Sequence, residues 1–438
     1  MAETCTEIGK VHAAKQLFAE AKKFFQRALM IYDENSQQDT VCYATVLAHL
    51  ASVLSSEESY DRALELFTKA LAVFRRDKGE ECDEVADILT KIGIIHNRRV
   101  DYEEALQFLT SALKIRSTLF GRDDERVADT LFETGKVMEE WGDSDEAVAT
   151  YGEVIRIIRI HHGQRHIKIA ESLRRIGTIN LEKGELDTAL TCFNEAIEIQ
   201  RQTVGDEAVE IAHTLLNAAA VHDTRAEEDS ALAAYSESLR IFRTNYGNDD
   251  VSVALALNNV GINHARRKNY AKAIDLCSEA LRIRRLKLGD DHLDVADSCL
   301  NIANVLDEWG KDDQALKFYV EALDLYKSHL GEEDIEVANC FQQIGGVHMK
   351  QNDHRRAVSC YVEAIRIYRL KKGLESLDVG LALFNLGRVY GKTAEYDKAL
   401  ACFEECLRIR QSELGEHHLE VLAVHRYIDA IQRKRRRN

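Results

Sequence analysis

Residues 253–289 read VALALNNVGINHARRKNYAKAIDLCSEALRIRRLKLG. Val253, Ala254, Leu257, Val260 and Gly261 follow the spacing i, i+1, i+4, i+7, i+8, which puts them on one face of an α-helix. Lys268-Asn269 interrupt that stripe. Ala273, Ile274, Cys277, Ala280, Leu281 and Ile283 make a second helical stripe, and Leu288-Gly289 end it. Gly is expected just past a helix end because, lacking a Cβ, it accepts the left-handed conformation without a clash. The stretch is two amphipathic helices joined by a short turn.

The same unit recurs along the chain. Gly79, Gly121, Gly163, Gly205, Gly247, Gly289, Gly331, Gly373 and Gly415 step by 42 residues without insertion or deletion. Fourteen residues after each comes a second small position, Gly93, Gly135, Gly177, Ala219, Gly261, Ala303, Gly345 and Gly387, which extends back to Ala51 and Gly9. A third ladder is Ala throughout: Ala21, Ala63, Ala105, Ala147, Ala189, Ala231, Ala273, Ala315, Ala357 and Ala399. Fixed self-similarity at this period marks a repeat architecture. Small side chains on both helices let their axes approach closely. One hairpin cannot bury both its faces, so it stacks on its neighbours. WD40 blades have a similar period but need strands and a recurring Trp-Asp, and this chain has two tryptophans and no strand alternation. HEAT repeats give no reason for small residues at three fixed offsets.

The expected organisation is all-α: ten hairpins in one array over 1–438, with units starting near 1, 43, 85, 127, 169, 211, 253, 295, 337 and 379. A last helix over 419–434 lacks a partner and reads as a C-terminal cap, ahead of a basic tail at 433–438. The weakest turn is 222–230, which lacks the usual aromatic or Leu before its second helix. Asp123-Asp124, Asp249-Asp250, Asp290-Asp291 and Glu332-Glu333 follow the 42-step glycines, where acids cap the next helix or face its positive end.

Composition narrows the function class. Asp and Glu outnumber Lys and Arg by 74 to 58, a net charge of −16, which disfavours nucleic acid as a partner because that needs a basic face. There are no prolines where about 5% is usual, as suits a chain that is helical nearly throughout. No basic-then-apolar leader opens the sequence, and no apolar run approaches the ~20 residues that span a bilayer. The ten cysteines form no CxxC and read as free, mostly buried thiols, with Cys402 and Cys406 one turn apart in the core. The expected compartment is the cytoplasm. The exceptional run Arg433-Lys434-Arg435-Arg436-Arg437 reads as cations at a helix C-terminus, with nuclear localisation as the alternative.

The pattern of small residues resembles the tetratricopeptide repeat, whose third small position appears at Ala28, Ala70, Ala112, Ala196, Ala280, Ala322 and Ala364. It is most similar to the 42-residue variety of kinesin light chains and nephrocystin-3-like proteins, with its L-G-x-x-H-P-x-V-A-x-x-L-N-N-L-A signature. That signature appears as Leu288-Gly289-Asp290-Asp291-His292-Leu293-Asp294-Val295-Ala296 and as Leu414-Gly415-Glu416-His417-His418-Leu419-Glu420-Val421. Val253 to Gly261 match its later half. The motif's Pro is Leu or Ile here (Leu293, Leu419, Leu377, Ile167, Ile335), and the heptad region of kinesin light chains is not seen, so the resemblance is to the repeat type. It implies a right-handed superhelical solenoid that binds protein segments along a concave face lined by the first helix of each hairpin.

Two residues before the second small ladder, those first helices carry Lys91, Glu133, Arg175, Asn217, Asn259, Asn301, Gln343 and Asn385. Asn is a poor helix former, and an amide both donates and accepts, so a row of amides suits the main chain of an extended peptide. The resemblance gives this position the same role. The expected groove set is Arg174, Arg175, Asn217, Asn258, Asn259, Asn301, Gln343, Asn385 and Arg388. Arg266, Lys350 and Lys392 add cations, while Glu139, Glu140, Glu182, Asp307 and Glu308 add acids, so ligand charge stays open.

The histidine clusters His161, His162, His166 and His417-His418 flank Gly163 and Gly415, lack HExxH or Cys partners, and read as loop residues, so no metal is expected. Trp141 and Trp309 read as packing residues. No phosphate loop, GxSxG or Rossmann glycine triplet occurs, and no cofactor is expected. The reading is a non-catalytic interaction scaffold or adaptor. The alternatives are an assembly subunit using its convex face or ends, and a sensor fragment of a larger protein.

Overall fold

The structure, a computed structural model, describes residues 1–436, so Arg437 of the basic run and Asn438 lie outside the described residues. Among the described residues there are 21 α-helices and no strands. The chain divides into two compact units, Met1–Val221 and His222–Asn438. The boundary falls where the turn lacking its aromatic begins.

The first unit contains α1 (Ala2–Ala14), α2 (Phe18–Glu34), α3 (Val41–Ser56), α4 (Tyr60–Lys78), α5 (Asp83–Arg98), α6 (Tyr102–Phe120), α7 (Glu125–Trp141), α8 (Ser144–His162), α9 (Ile167–Glu182) and α10 (Leu186–Val204), and ends in α11 (Val209–Thr224). The second contains α12 (Glu228–Tyr246), α13 (Val251–Arg266), α14 (Tyr270–Leu288), α15 (Leu293–Glu308), α16 (Asp312–Leu330), α17 (Ile335–Lys350), α18 (His354–Lys372), α19 (Leu377–Lys392), α20 (Tyr396–Leu414) and α21 (Leu419–Arg435). Within each unit odd and even helices pair as hairpins, and each hairpin packs on the next; α21 closes against α20. After α1, first helices begin two residues ahead of the approximate unit starts, at 41 against 43 and 251 against 253.

The small ladders are the contact points inside the hairpins. All ten alanines of the third ladder are fully buried. A Cβ added at Gly177 would lie 2.6 Å from the Phe193 ring, and one at Gly261 would lie 2.6 Å from Cys277 Sγ. The core is therefore a stack of close helix crossings, with one side chain of the second helix packed over each.

Two details correct the expected helix ends. Gly205 has φ 89° and ψ 162°, a mirror-extended conformation rather than the left-handed helical one. That region is essentially closed to residues with a Cβ, which explains why no Asn replaces Gly anywhere on the 42-step ladder. The expected acids Asp124 and Asp250 do cap their helices, other residues take that place elsewhere, and Cys82 before α5 makes no side-chain cap. Asp124, Asp250 and Asp334 accept from the N–H two residues on, and His166, His292 and His418 do so through Nδ1. The preceding acids Asp123, Asp249 and Glu333 pair instead with Arg156, Arg282 and Arg366.

Candidate functional site

The ladder position two residues before the second small residue sits on each first helix, and its surroundings differ between the units. In the first unit four of these positions are charged and paired. Glu7 takes Lys10 at 2.8 Å, Lys91 takes Asp87 at 2.7 Å, and Glu133 takes Lys136 at 2.9 Å. Arg175 Nη1 lies 2.9 Å from Glu139 Oε2, which also accepts from Tyr151 Oη at 2.7 Å. Asn217 Nδ2 donates to Thr178 Oγ1 at 3.3 Å. Arg174 is half-buried beside Arg175; burial first, then the neighbouring guanidinium, lowers its pKa.

In the second unit the ladder is amide and open. Among the described residues Asn259, Asn301 and Gln343 make no side-chain hydrogen bond or ion pair with the protein. Asn385 Oδ1 is 3.4 Å from Arg388 Nη1. Asn258 does not belong with them. It is 2% exposed, and its Nδ2 donates to Ser298 Oγ at 3.1 Å, so it joins neighbouring hairpins instead of facing a ligand.

Asn301 and Gln343, on the successive first helices α15 and α17, open on one hollow of about 360 Å³. Its walls include Ile262, Ala265, Arg266, Asn304, Val305, Asp307, Glu308 and Tyr319. Tyr319 Oη donates to Asn304 Oδ1 at 2.7 Å, and burial followed by the Asp307 carboxylate raises its pKa, so the hydroxyl stays protonated. The cations near the hollow are engaged: Arg266 with Asp223 at 2.8 Å and Lys350 with Asp307 at 2.7 Å. What stays free for a ligand, among the described residues, is amide donor and acceptor capacity together with the Glu308 carboxylate.

Asn304 and Tyr319 escaped the sequence reading. Asn304 lies one turn after Asn301 on the same helix face, which is a usable signal. A second signal is coupled: Glu139, Asp223 and Asp307 recur at every second repeat, and a Tyr follows each by twelve residues at Tyr151, Tyr235 and Tyr319. Tyr235 Oη donates to Asp223 at 3.0 Å, as Tyr151 does to Glu139.

The remaining candidates are structural or separate from this hollow. Trp141 and Trp309, 53% and 42% exposed, stack on Tyr102 and Tyr270, so they pack at the surface of their turns. Cys406 is buried and Cys402 half-buried, and burial pushes both thiols up to about 11. Cys42 is exposed. Among the described residues one group of three could hold a metal ion, Glu125 with His162 and His166.

The family model described as tetratricopeptide repeat matches residues 1–76, 84–159, 168–244, 252–328, 335–412 and 378–428. No curated protein matches the chain significantly. Among solved structures, the chain is similar to a signal transduction ATPase with numerous domains that carries a tetratricopeptide repeat sensor, from Pyrococcus horikoshii. The TM-score is 0.57 at 16% identity, covering 76% of this chain and 49% of that one. The chain thus spans about half of that protein. The apo form of RapI matches at TM-score 0.52 and 16% identity, covering 66% of this chain and 99% of that one. Kinesin light chain tetratricopeptide-like repeats from Podosopora anserina match at TM-score 0.42 and 13% identity, covering 47% and 97%.

Proposed function

The chain belongs to the tetratricopeptide repeat family, and from that premise we propose that it is a non-catalytic scaffold that holds a segment of another protein in the amide-lined hollow of its second unit. Repeats of this kind generally mediate protein–protein interaction, and the fold is typically non-catalytic. One observation carries the finer reading: Asn301 and Gln343 are unsatisfied by the protein and face the same 360 Å³ space. An extended peptide presents alternating N–H and C=O groups, and a side-chain amide can answer either. Arg266, Asp307, Glu308 and Tyr319 then set which side chains fit. Among the described residues no helix is long and apolar enough to cross a membrane. A cytoplasmic location remains part of this proposal.

Panning a random-peptide library against the protein tests the reading. Peptides that bind are then measured against the Asn259→Ala/Asn301→Ala/Gln343→Ala variant, with circular dichroism to show that it stays helical. Each lost net hydrogen bond is worth about 0.5–1.5 kcal/mol. The variant should therefore bind about tenfold more weakly or worse. Undiminished binding would place the site elsewhere.

A further inference from the structure

We propose that the junction of α7, α8 and α9 carries a zinc-type divalent-metal site formed by Glu125, His162 and His166. The three side chains come from three helices. Glu125 is the first residue of α7, His162 the last of α8, and His166 the N-cap of α9. His162 Nε2 lies 3.1 Å from Glu125 Oε2, and the two imidazole rings stack at 4.5 Å between centroids. One ligand atom from each residue lies within 4.8 Å of the other two. Bonds of about 2.1 Å to a tetrahedral ion place ligand atoms roughly 3.3 Å apart, within reach of small rotations of the exposed His162. Three protein ligands leave a fourth position for water.

The repeat register shows how unusual the pair is. The equivalent positions to Glu125 and His162 hold Ile167 and Val204 in the next unit, Val251 and Leu288 further on, then Leu293 and Leu330, then Leu377 and Leu414. Among all the repeats, only here are both of these positions occupied by metal-ligating side chains. Where those four repeats hold an apolar pair, and the others pair Val, Asp or Ile with Lys, Phe or Tyr, this one holds a carboxylate and an imidazole, beside a third ligand that other repeats hold only as a helix cap. The nearby cation, Lys168, is ion-paired with Asp129 and leaves the site's charge to Glu125. Donors of this kind, two imidazoles and a carboxylate, suit zinc and its first-row neighbours.

Binding has a structural consequence. The backbone N–H of Lys168 donates to His166 Nδ1 at 3.2 Å, so that nitrogen is the acceptor and a neutral ring carries its proton on Nε2. A metal on Nδ1 displaces the N–H directly; a metal on Nε2 sends the proton to Nδ1. Either way the cap on α9 is released. The spacing of the histidines alone pointed to loop roles, and the third ligand, 37 residues before His162, is visible only in the folded chain.

The test is calorimetric titration of the protein with Zn²⁺, with Co²⁺ as a spectroscopic probe. The comparison is Glu125→Val/His162→Leu, which installs the residues of the other repeats and so retains the fold. Wild type should bind one equivalent; the double variant should bind at least tenfold more weakly; and His417→Ala/His418→Ala should bind as wild type does. The Lys168 amide resonance should shift on zinc addition in wild type alone. Absence of saturable zinc binding in the wild type, or equal binding by the Glu125→Val/His162→Leu variant, would overturn the proposal.

Discussion

His49 occupies the ladder position that Asn259 and Asn301 hold further along the chain, but with a titratable ring. The ring stacks on Phe25 at 5.7 Å between centroids. Burial first, then the Lys10 and Lys91 charges, lowers its pKa to about 4, against smaller opposing effects of Asp87 and Glu7. The unfolded chain takes up this proton near pH 6.5, the ordinary histidine value, whereas the folded chain resists it down to about 4. Between those values the unfolded state binds more protons, so stability is full above pH ~6.5 and is lost as pH falls toward 4. His49→Asn, the residue other repeats use here, should flatten this part of a urea-denaturation stability profile. A variant that loses stability on acidification as steeply as wild type would contradict the assignment.

Turns between the helices of a hairpin contain a second strained position. The backbone has positive φ, near 60°, at Gln16, Glu58, Val100, Ala226, Lys268, Asn352 and Ala394, and Gly142, Gly184 and Gly310 continue the series at 42-residue steps. Left-handed geometry costs a residue with a Cβ about 1–2 kcal/mol, and most for a β-branched one. Val100, at φ 67° and 65% exposed, gives up no buried contact if replaced. Val100→Gly should therefore stabilise the protein, by about 1 kcal/mol after the added chain entropy of glycine, read as a higher denaturation midpoint with unchanged slope. A lower midpoint would show that this turn is not strained. These positions explain what was legible beforehand. The 42-step glycines stand out because only Gly can occupy the mirror-extended conformation seen at Gly205. The hairpin turns left no residue-type signature because left-handed helical geometry tolerates Gln, Glu, Val or Lys at modest cost. The ladders at Gly177 and Gly261 were legible since close helix contact excludes bulk, and they located the helix pairs to within two residues. Capping by His166, His292 and His418 was hidden, because His is not among the usual capping residues and these rings read as loop residues.

At the scale of the whole chain the two units use one repeat frame differently. In Met1–Val221 the Glu7, Lys91, Glu133 and Arg175 side chains are paired within the unit, which leaves little for a ligand. In His222–Asn438 the same frame presents Asn259, Asn301 and Gln343, whose amides no neighbour satisfies among the described residues. The row of amides was legible from their spacing, but its opening on one hollow was not, because Asn304 and Tyr319 meet Gln343 only through stacking of successive hairpins. At the C-terminus Arg435 is 2.8 Å from Asp397, so part of the basic run is engaged with the fold.

In the proposed function these amides hold the main chain of a bound peptide. An N-methyl scan of a selected peptide, run against wild type and against Asn301→Ala/Gln343→Ala, tests it most directly. Removing a gripped N–H should weaken wild-type binding by about tenfold, and the same methylation should cost the variant little, a coupling of about 1 kcal/mol or more. Equal losses in both proteins, or none in either, would contradict the account and leave recognition to side chains alone.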